Sequence, residues 1–195
     1  MGDLEVVWEN GRKVLNSAHG NQSFGSLHHV WRATFEAIEL SQRPLRSVLM
    51  LGLGGGSILE ILRKELLDAV AVTVVEIDPM MIGLAGDEFL SIDDRTRVIE
   101  GDALIQIHAL KEQFDLITVD LFSDLDLATG VDTAGFAKAL RDRCAPDGLV
   151  CFNTVGYDQL SASRCNKVLM HLKEHFGSVK EFHFEGVNRM FVANP

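Results

Sequence analysis

The run Val48-Leu49-Met50-Leu51-Gly52-Leu53-Gly54-Gly55-Gly56-Ser57 constrains this chain more than any other stretch. An apolar segment of strand length stops at glycines, and a helical pattern of apolar residues starts at Ser57. A second apolar run, Val70 to Val75, leads into Glu76-Ile77-Asp78-Pro79. The order is strand, turn without side chains, helix, and a strand carrying a carboxylate at its C-terminal tip. Backbone at such a turn comes close to a ligand, and an acid about twenty residues on accepts hydrogen bonds from a ribose diol. The pattern marks a nucleoside pocket.

Further alternation surrounds this unit. Strands are expected at Ser47–Leu51, Val70–Glu76, Thr96–Glu100, Phe114–Asp120 and Gly148–Thr154, with helices at Ser57–Leu67, Pro79–Glu88, Ala103–Ala109 and Thr133–Cys144. Asp78-Pro79 supplies an acidic cap followed by proline at the first helical position. Ala145-Pro146-Asp147-Gly148 reads as the turn that stops the fourth helix. A last helix, Ser161–His175, is followed by two strands, Val179–Phe184 and Arg189–Val192. The four residues between them are too few for a helical crossover, so that pair is antiparallel. Strand–helix alternation implies a mainly parallel α/β sheet covered on both faces, with ligands at the C-terminal strand ends.

Ahead of this domain, Leu4–Trp8 and Arg12–Leu15 flank Asn10-Gly11, a strong hairpin signal. The stretch from Ser17 to Ser26 reads as a loop, and His28 to Leu40 as a helix that ends before Pro44. The expected organisation is an N-terminal hairpin-and-helix extension over 1–44 and a nucleoside-binding domain over 45–195.

Composition narrows the partners. A chain of 195 residues buries a substantial core without disulfides. Cys144, Cys151 and Cys165 form no CxxC pair and read as reduced, buried thiols of a cytoplasmic protein. A formal charge of −10 argues against a nucleic-acid partner. No apolar stretch approaches the roughly 20 residues of a membrane span, and the acidic start lacks the features of a signal peptide.

Gly101-Asp102-Ala103 follows the third strand and Asp120 ends the fourth, so three acids, Glu76, Asp102 and Asp120, share one sheet edge. Taken alone, the residues leave the cofactor open. Ser57 stands at the third position of G-x-G-x-x-G, which counts against a dinucleotide. Glycines kept only for tight strand–helix packing are the bland alternative.

VLMLGLGGGS, VVEIDP, EGDA and FDLITVD together resemble the spermidine synthase family over about Arg46 to Thr154. The resemblance implies a Rossmann-like class I methyltransferase fold with a seven-stranded sheet, mainly parallel and with its last strand antiparallel, and a small N-terminal β-hairpin. It implies S-adenosyl-L-methionine or its decarboxylated form as cofactor, and a small acceptor, such as an amine, as second substrate. Gly52, Gly54 and Gly56 would line the cofactor turn and Glu76 would accept from the ribose. Asp102, with Ala103 beside it, would meet the adenine, and Asp120 would face the reacting centre. Gln22, Trp31 and Asp124 would contact the acceptor. A homodimer is also implied, for which the N-terminal hairpin edge offers a pairing surface.

The departures from the family bear on the reaction. Gly55 stands where GGGDGG has its aspartate. The family's two-acid D-S-S/T-D-P loop is here Asp120-Leu121-Phe122-Ser123-Asp124, with the second acid one residue late and no proline. Trp31-Arg32-Ala33 takes the place of Tyr-His-Glu. Methyl and aminopropyl transfer therefore both stand as readings, with a non-catalytic nucleoside- or partner-binding protein and an NAD-linked oxidoreductase as rivals. His171 and His175, four apart on a helix, lack a third ligand and read as structural or surface residues. His28 and His29 read as solvated residues at a helix start, Trp31 equally as core, and Asp124 and Asp126 equally as an acidic loop.

Overall fold

The structure, a computed structural model, describes residues 5–9, 12–16, 21–23, 26–54, 56–66, 70–86, 93–184 and 186–195, with side chains from Leu27 onward. Its centre is a seven-stranded sheet built from β4 (Ser47–Leu51), β5 (Ala71–Glu76), β6 (Thr96–Glu100), β7 (Phe114–Val119), β10 (Cys144–Val155), β11 (Ser178–Phe184) and β12 (Asn188–Asn194). The strand order is β11-β12-β10-β7-β4-β5-β6. All neighbours are parallel except β12, which runs antiparallel to both β10 and β11. The chain leaves β4 in one direction through β5 and β6, then returns to place β7 on the other side of β4. The crevice between the tips of β4 and β7 is the topological switch point, where ligands of such sheets bind.

The sheet strands are apolar on both faces because helices cover both. On one side α4 (Ala103–Ala109), α5 (Ala134–Arg143) and α6 (Gln159–His175) pack on Leu49, Leu51, Ile117, Val119 and Phe152. On the other, α1 (Ser26–Ala37), α2 (Ser57–Glu60) and the residues after α3 (Pro79–Leu84) pack on Val48, Met50, Val72, Val74 and Cys151. Helix α1 belongs to this core: Val30 and Trp31 are fully buried and Phe35 nearly so. It is not a loose appendage of the N-terminal extension.

Several elements depart from the sequence expectation. The loop foreseen around residues 17–26 contains a short strand, β3 (Asn21–Ser23), which pairs antiparallel with β2 (Arg12–Asn16). With β1 (Glu5–Glu9) the expected hairpin becomes a three-stranded antiparallel sheet. The helix after the glycine turn is four α-helical residues followed by a π-helical stretch over Ile61–Leu66. Strand β10 starts at Cys144, so the turn around Pro146 lies within an irregularity between Cys144 and Leu149. A small hairpin, β8 (Phe122–Ser123) and β9 (Asp126–Leu127), follows Asp120. Such two-residue strands carry too little pattern to be read from sequence.

The cysteines are free and buried as expected, and burial pushes the Cys144 and Cys151 thiols up to about 12. Among the described residues no helix is long and apolar enough to cross a membrane.

Candidate active site

The glycine turn leads from the tip of β4 into α2 and is hydrogen-bonded to the tip of β5, where the Gly52 amide donates to the Val75 carbonyl at 2.9 Å. Gly52, Gly54 and Gly56 have φ of +90°, +52° and +85°, a region that side chains strain to enter. Gly52 is also required sterically, since a Cβ there would stand 2.3 Å from the Asp120 carbonyl oxygen. Its role is thus partly to let the turn pass under the end of β7. Gly54 lies beyond that crossing, and Gly56 is the N-cap of α2. Gly55 lies outside the described residues.

Glu76 is buried and binds this turn together. Its Oε2 accepts from the Leu53 amide at 2.8 Å, and Oε1 accepts from the Ile77 and Asp78 amides at 2.8 and 3.0 Å. A carboxylate offers about four lone-pair positions. Three are taken by backbone donors, which leaves one for a ligand hydroxyl. Asp78 and Asp102 are both helix N-caps, accepting from the Met80 and Leu104 amides at 2.9 Å each. Capping occupies only Oδ1 of Asp102, and the residue remains partly exposed at the tip of β6. Ala103 is buried as the first residue of α4.

Asp120 follows the last residue of β7, beside Gly52, and its amide donates to the Leu51 carbonyl at 2.9 Å. Its carboxylate is held differently from that of Glu76. Oδ1 accepts from Asn153 Nδ2 at 2.9 Å, and Oδ2 accepts from Trp31 Nε1 at 3.1 Å. Burial pushes this carboxyl above the usual carboxylate range, the two hydrogen bonds pull it back in part, and the Glu76 charge adds to the rise. Trp31 is fully buried against Phe35, with ring centroids 5.6 Å apart. It reaches the site through its indole N–H and presents no open wall.

Past Asp120 the β8–β9 hairpin turns at Asp124, which has a φ of +60°. The structure sets Asp124 with Asp126 and Asp158 around Tyr157, whose hydroxyl donates to Asp126 at 2.6 Å and is pushed up to about 12 chiefly by that bond. Gln22 is in β3, but its side chain lies outside the described residues. Arg164 of α6 anchors the far end of the hairpin. It bonds both oxygens of Asp132, at 3.1 and 2.9 Å, and donates to the Leu127 and Ala128 carbonyls. Asn153 and Arg164 were not foreseen, because nothing local in the sequence ties either to Asp120.

The remaining histidines also find places. His28 is buried beside Glu65 at 3.4 Å, a correction to its reading as solvated, while His29 is exposed. His171 Nδ1 lies 2.9 Å from Glu174 on the surface of α6. A separate recess of about 430 Å³ is lined by Arg32, Glu36, Glu65 and Leu66 and includes none of the strand-tip acids.

Comparison with known proteins agrees with this geometry. The eEF1A lysine and N-terminal methyltransferase of Danio rerio is 34% identical over 134 residues, 63% of this chain and 19% of that protein. The polyamine aminopropyltransferase of Thermoanaerobacter sp. (strain X514) is 29% identical over 115 residues, 56% of this chain and 41% of that protein. The chain thus spans less than half the length of these curated relatives. Human Methyltransferase-like protein 13, solved in complex with SAH, superposes with a TM-score of 0.73 at 26% identity, covering 88% of this chain and 82% of that one. The profile of the Spermine/spermidine synthase domain matches residues 35–184, from within α1 to the end of β11. The chain belongs to the spermine/spermidine synthase domain family, in its class I methyltransferase-like fold.

Proposed function

We propose that the chain binds S-adenosyl-L-methionine at the glycine turn and transfers its methyl group to an amine, with Asp120 handling the acceptor. The observation that carries the reading is the state of Asp120. A half-buried carboxylate at the switch point has one neutral donor on each oxygen, and so keeps a free lone-pair position on each for an incoming N–H. An amine acceptor is also what the relatives' names share, since lysine, an N-terminus and a polyamine all offer amine nitrogen.

The residues present fit the nucleoside. Gly54 and Gly56 leave backbone open at the turn, Glu76 retains one acceptor position for a ribose hydroxyl, and Asp102 retains Oδ2 for the adenine amino group. When bound, the cofactor supplies an electrophilic carbon on a sulfonium. What the protein adds is alignment of the amine, exclusion of water and acceptance of its proton. An amine attacks only when neutral, and a carboxyl raised by burial is a stronger base than an exposed one. Leu121 and Phe122, half-buried against the core, make the loop after Asp120 apolar, and apolar surroundings favour a neutral amine over an ammonium ion.

Gly55 favours the methyl donor. An aspartate there would attract the free ammonium of the decarboxylated cofactor and repel the carboxylate of the intact one. Glycine removes both effects. Aminopropyl transfer is the second reading, favoured by the family match over residues 35–184. Calorimetry with S-adenosylmethionine, its decarboxylated form, methylthioadenosine and NAD tests the first step, followed by product mass after incubation with lysine peptides and diamines. Tight binding of S-adenosylmethionine and a gain of one methyl mass are expected. Binding of NAD alone overturns the reading, and an aminopropyl product selects the second one.

A further inference from the structure

We propose that Asn153, itself oriented by Asn188, is the positioning residue that aims the Asp120 carboxylate at the acceptor. This inference rests on the assignment of Asp120 as the acceptor-handling group. It begins with three hydrogen bonds in a row: Asn188 Nδ2 donates to Asn153 Oδ1 at 3.3 Å, Asn153 Nδ2 donates to Asp120 Oδ1 at 2.9 Å, and Trp31 Nε1 closes the far side at 3.1 Å. The chain of contacts runs from β12 across β10 to the tip of β7 and ends on α1. No member is near another in sequence; the separations are 35, 33 and 89 residues.

The direction of these bonds gives Asn153 its role. An asparagine amide has a donor end and an acceptor end, and either could face Asp120. Facing it with oxygen would set two acceptors against each other in a buried place. The acceptor-only carboxylate selects the donor end of Asn153, and Asn188 reinforces that orientation by donating to the oxygen left facing away. The backbone fixes Asn188 in turn. Residues Val155 and Asn188 are partners in the β10–β12 ladder, which puts Asn188 diagonal to Asn153 on the same face of the sheet. The Gly156 amide donates to the Val187 carbonyl at 2.9 Å, and Thr154 Oγ1 donates to the Arg189 carbonyl at 2.6 Å. The start of β12 is thus held in register exactly where the asparagine is needed.

Few charges compete for this role. From β5, Glu76 raises the Asp120 carboxyl through its charge. From α1 come His28, one turn before Trp31, and Arg32, next to it in sequence, and both pair with Glu65. From β12, Arg189 is engaged by Glu181 and Asn166. Asn153 and Trp31 therefore supply the hydrogen bonds that favour the ionised carboxylate, and Asn153 makes its bond from a buried position, at 1% exposure.

The sequence holds two tryptophans, so the Trp31 indole N–H is a resolvable reporter of Asp120 in the full chain. Its ¹H–¹⁵N resonance, assigned with Trp31→Phe, should titrate with the carboxyl it touches. The expected result is a midpoint that moves up by about one pH unit in Asn153→Ala, a tenfold gain in proton affinity. A smaller move in the same direction is expected for Asn188→Ala, which leaves Asn153 in place and guards against loss of folding in the first variant. A midpoint unmoved in both overturns the proposal. Neither cofactor nor acceptor is needed for this measurement, so failure of the functional reading would show separately, as absent nucleoside binding in calorimetry.

Discussion

The two halves of the strand-tip edge hold their acids by different means. At the β4–β5–β6 end, Glu76, Asp78 and Asp102 are gripped by backbone amides close by, at the glycine turn or at the start of the next helix. At the β7–β10–β12 end, Asp120 is gripped by side chains alone, from an indole and an amide on other elements. Backbone donors come with the fold and survive almost any substitution around them. Side-chain donors are individually replaceable. The first half is therefore fixed by the backbone, while the second can be altered by single substitutions.

Substitution at Glu76 should break the comparison most severely. Glu76→Ala strands three backbone amides and unties the turn. A loss of about 4 kcal/mol in urea unfolding is expected, scaled from charged hydrogen bonds of roughly 1.5–3 kcal/mol each. Nucleoside binding should fall below detection in calorimetry. Intact binding would mean that the turn is held by β4 and β5 alone.

Asp120→Asn should act on the other half only. Cofactor affinity stays near the parent's, while the transfer rate drops by about 10²–10⁴, the usual range for loss of a positioned base. The parent rate should climb as pH rises through the folded Asp120 ionisation, above the ordinary carboxylate range, because only the charged form accepts a proton. That limb should vanish in the variant. A rate limb shared by parent and variant would assign it to another group.

Arg164→Ala should cost about 2–3 kcal/mol, near the lower end for breaking a partly buried pair. The Arg164 hydrogen bond holds the Asp132 carboxyl below its ordinary value. Its contribution to stability is therefore complete above the unfolded carboxylate pKa and is lost as pH falls through the folded one. The variant should lose less stability than the parent as pH falls below the ordinary carboxylate value of about 3.9, read by thermal unfolding at each pH. Equal acid sensitivity would remove this pair from the account. Lys138→Ala, which breaks an exposed i,i+4 pair with Asp142 far along α5, should change stability by under about 0.5 kcal/mol. A larger change would show that α5 depends on its surface charges.

The same contrast explains what could be read before the structure. The glycine turn, Glu76, the Asp78 cap and the strand–helix order lie within a few dozen consecutive residues, where periodicity and turn chemistry are local. The mainly parallel sheet and the family followed from them, whereas the strand order depends on pairings distant in sequence. Asn153 and Asn188 look like ordinary polar residues in strand patterns, because their partners are 33 and 35 residues away. Trp31 could be core or site from sequence alone; the structure buries it in the core with its indole N–H on Asp120. The β3 strand and the β8–β9 hairpin depend on neighbours for their existence and carry no period of their own.

The Arg164 anchor has one more consequence. Asp120 fixes the start of the β8–β9 segment and Arg164 fixes its end, through Leu127, Ala128 and Asp132. Between these two moorings the chain turns at Asp124, with its φ of +60°. A segment tied at both ends has few ways to rearrange, so a change at either mooring is felt along its whole length.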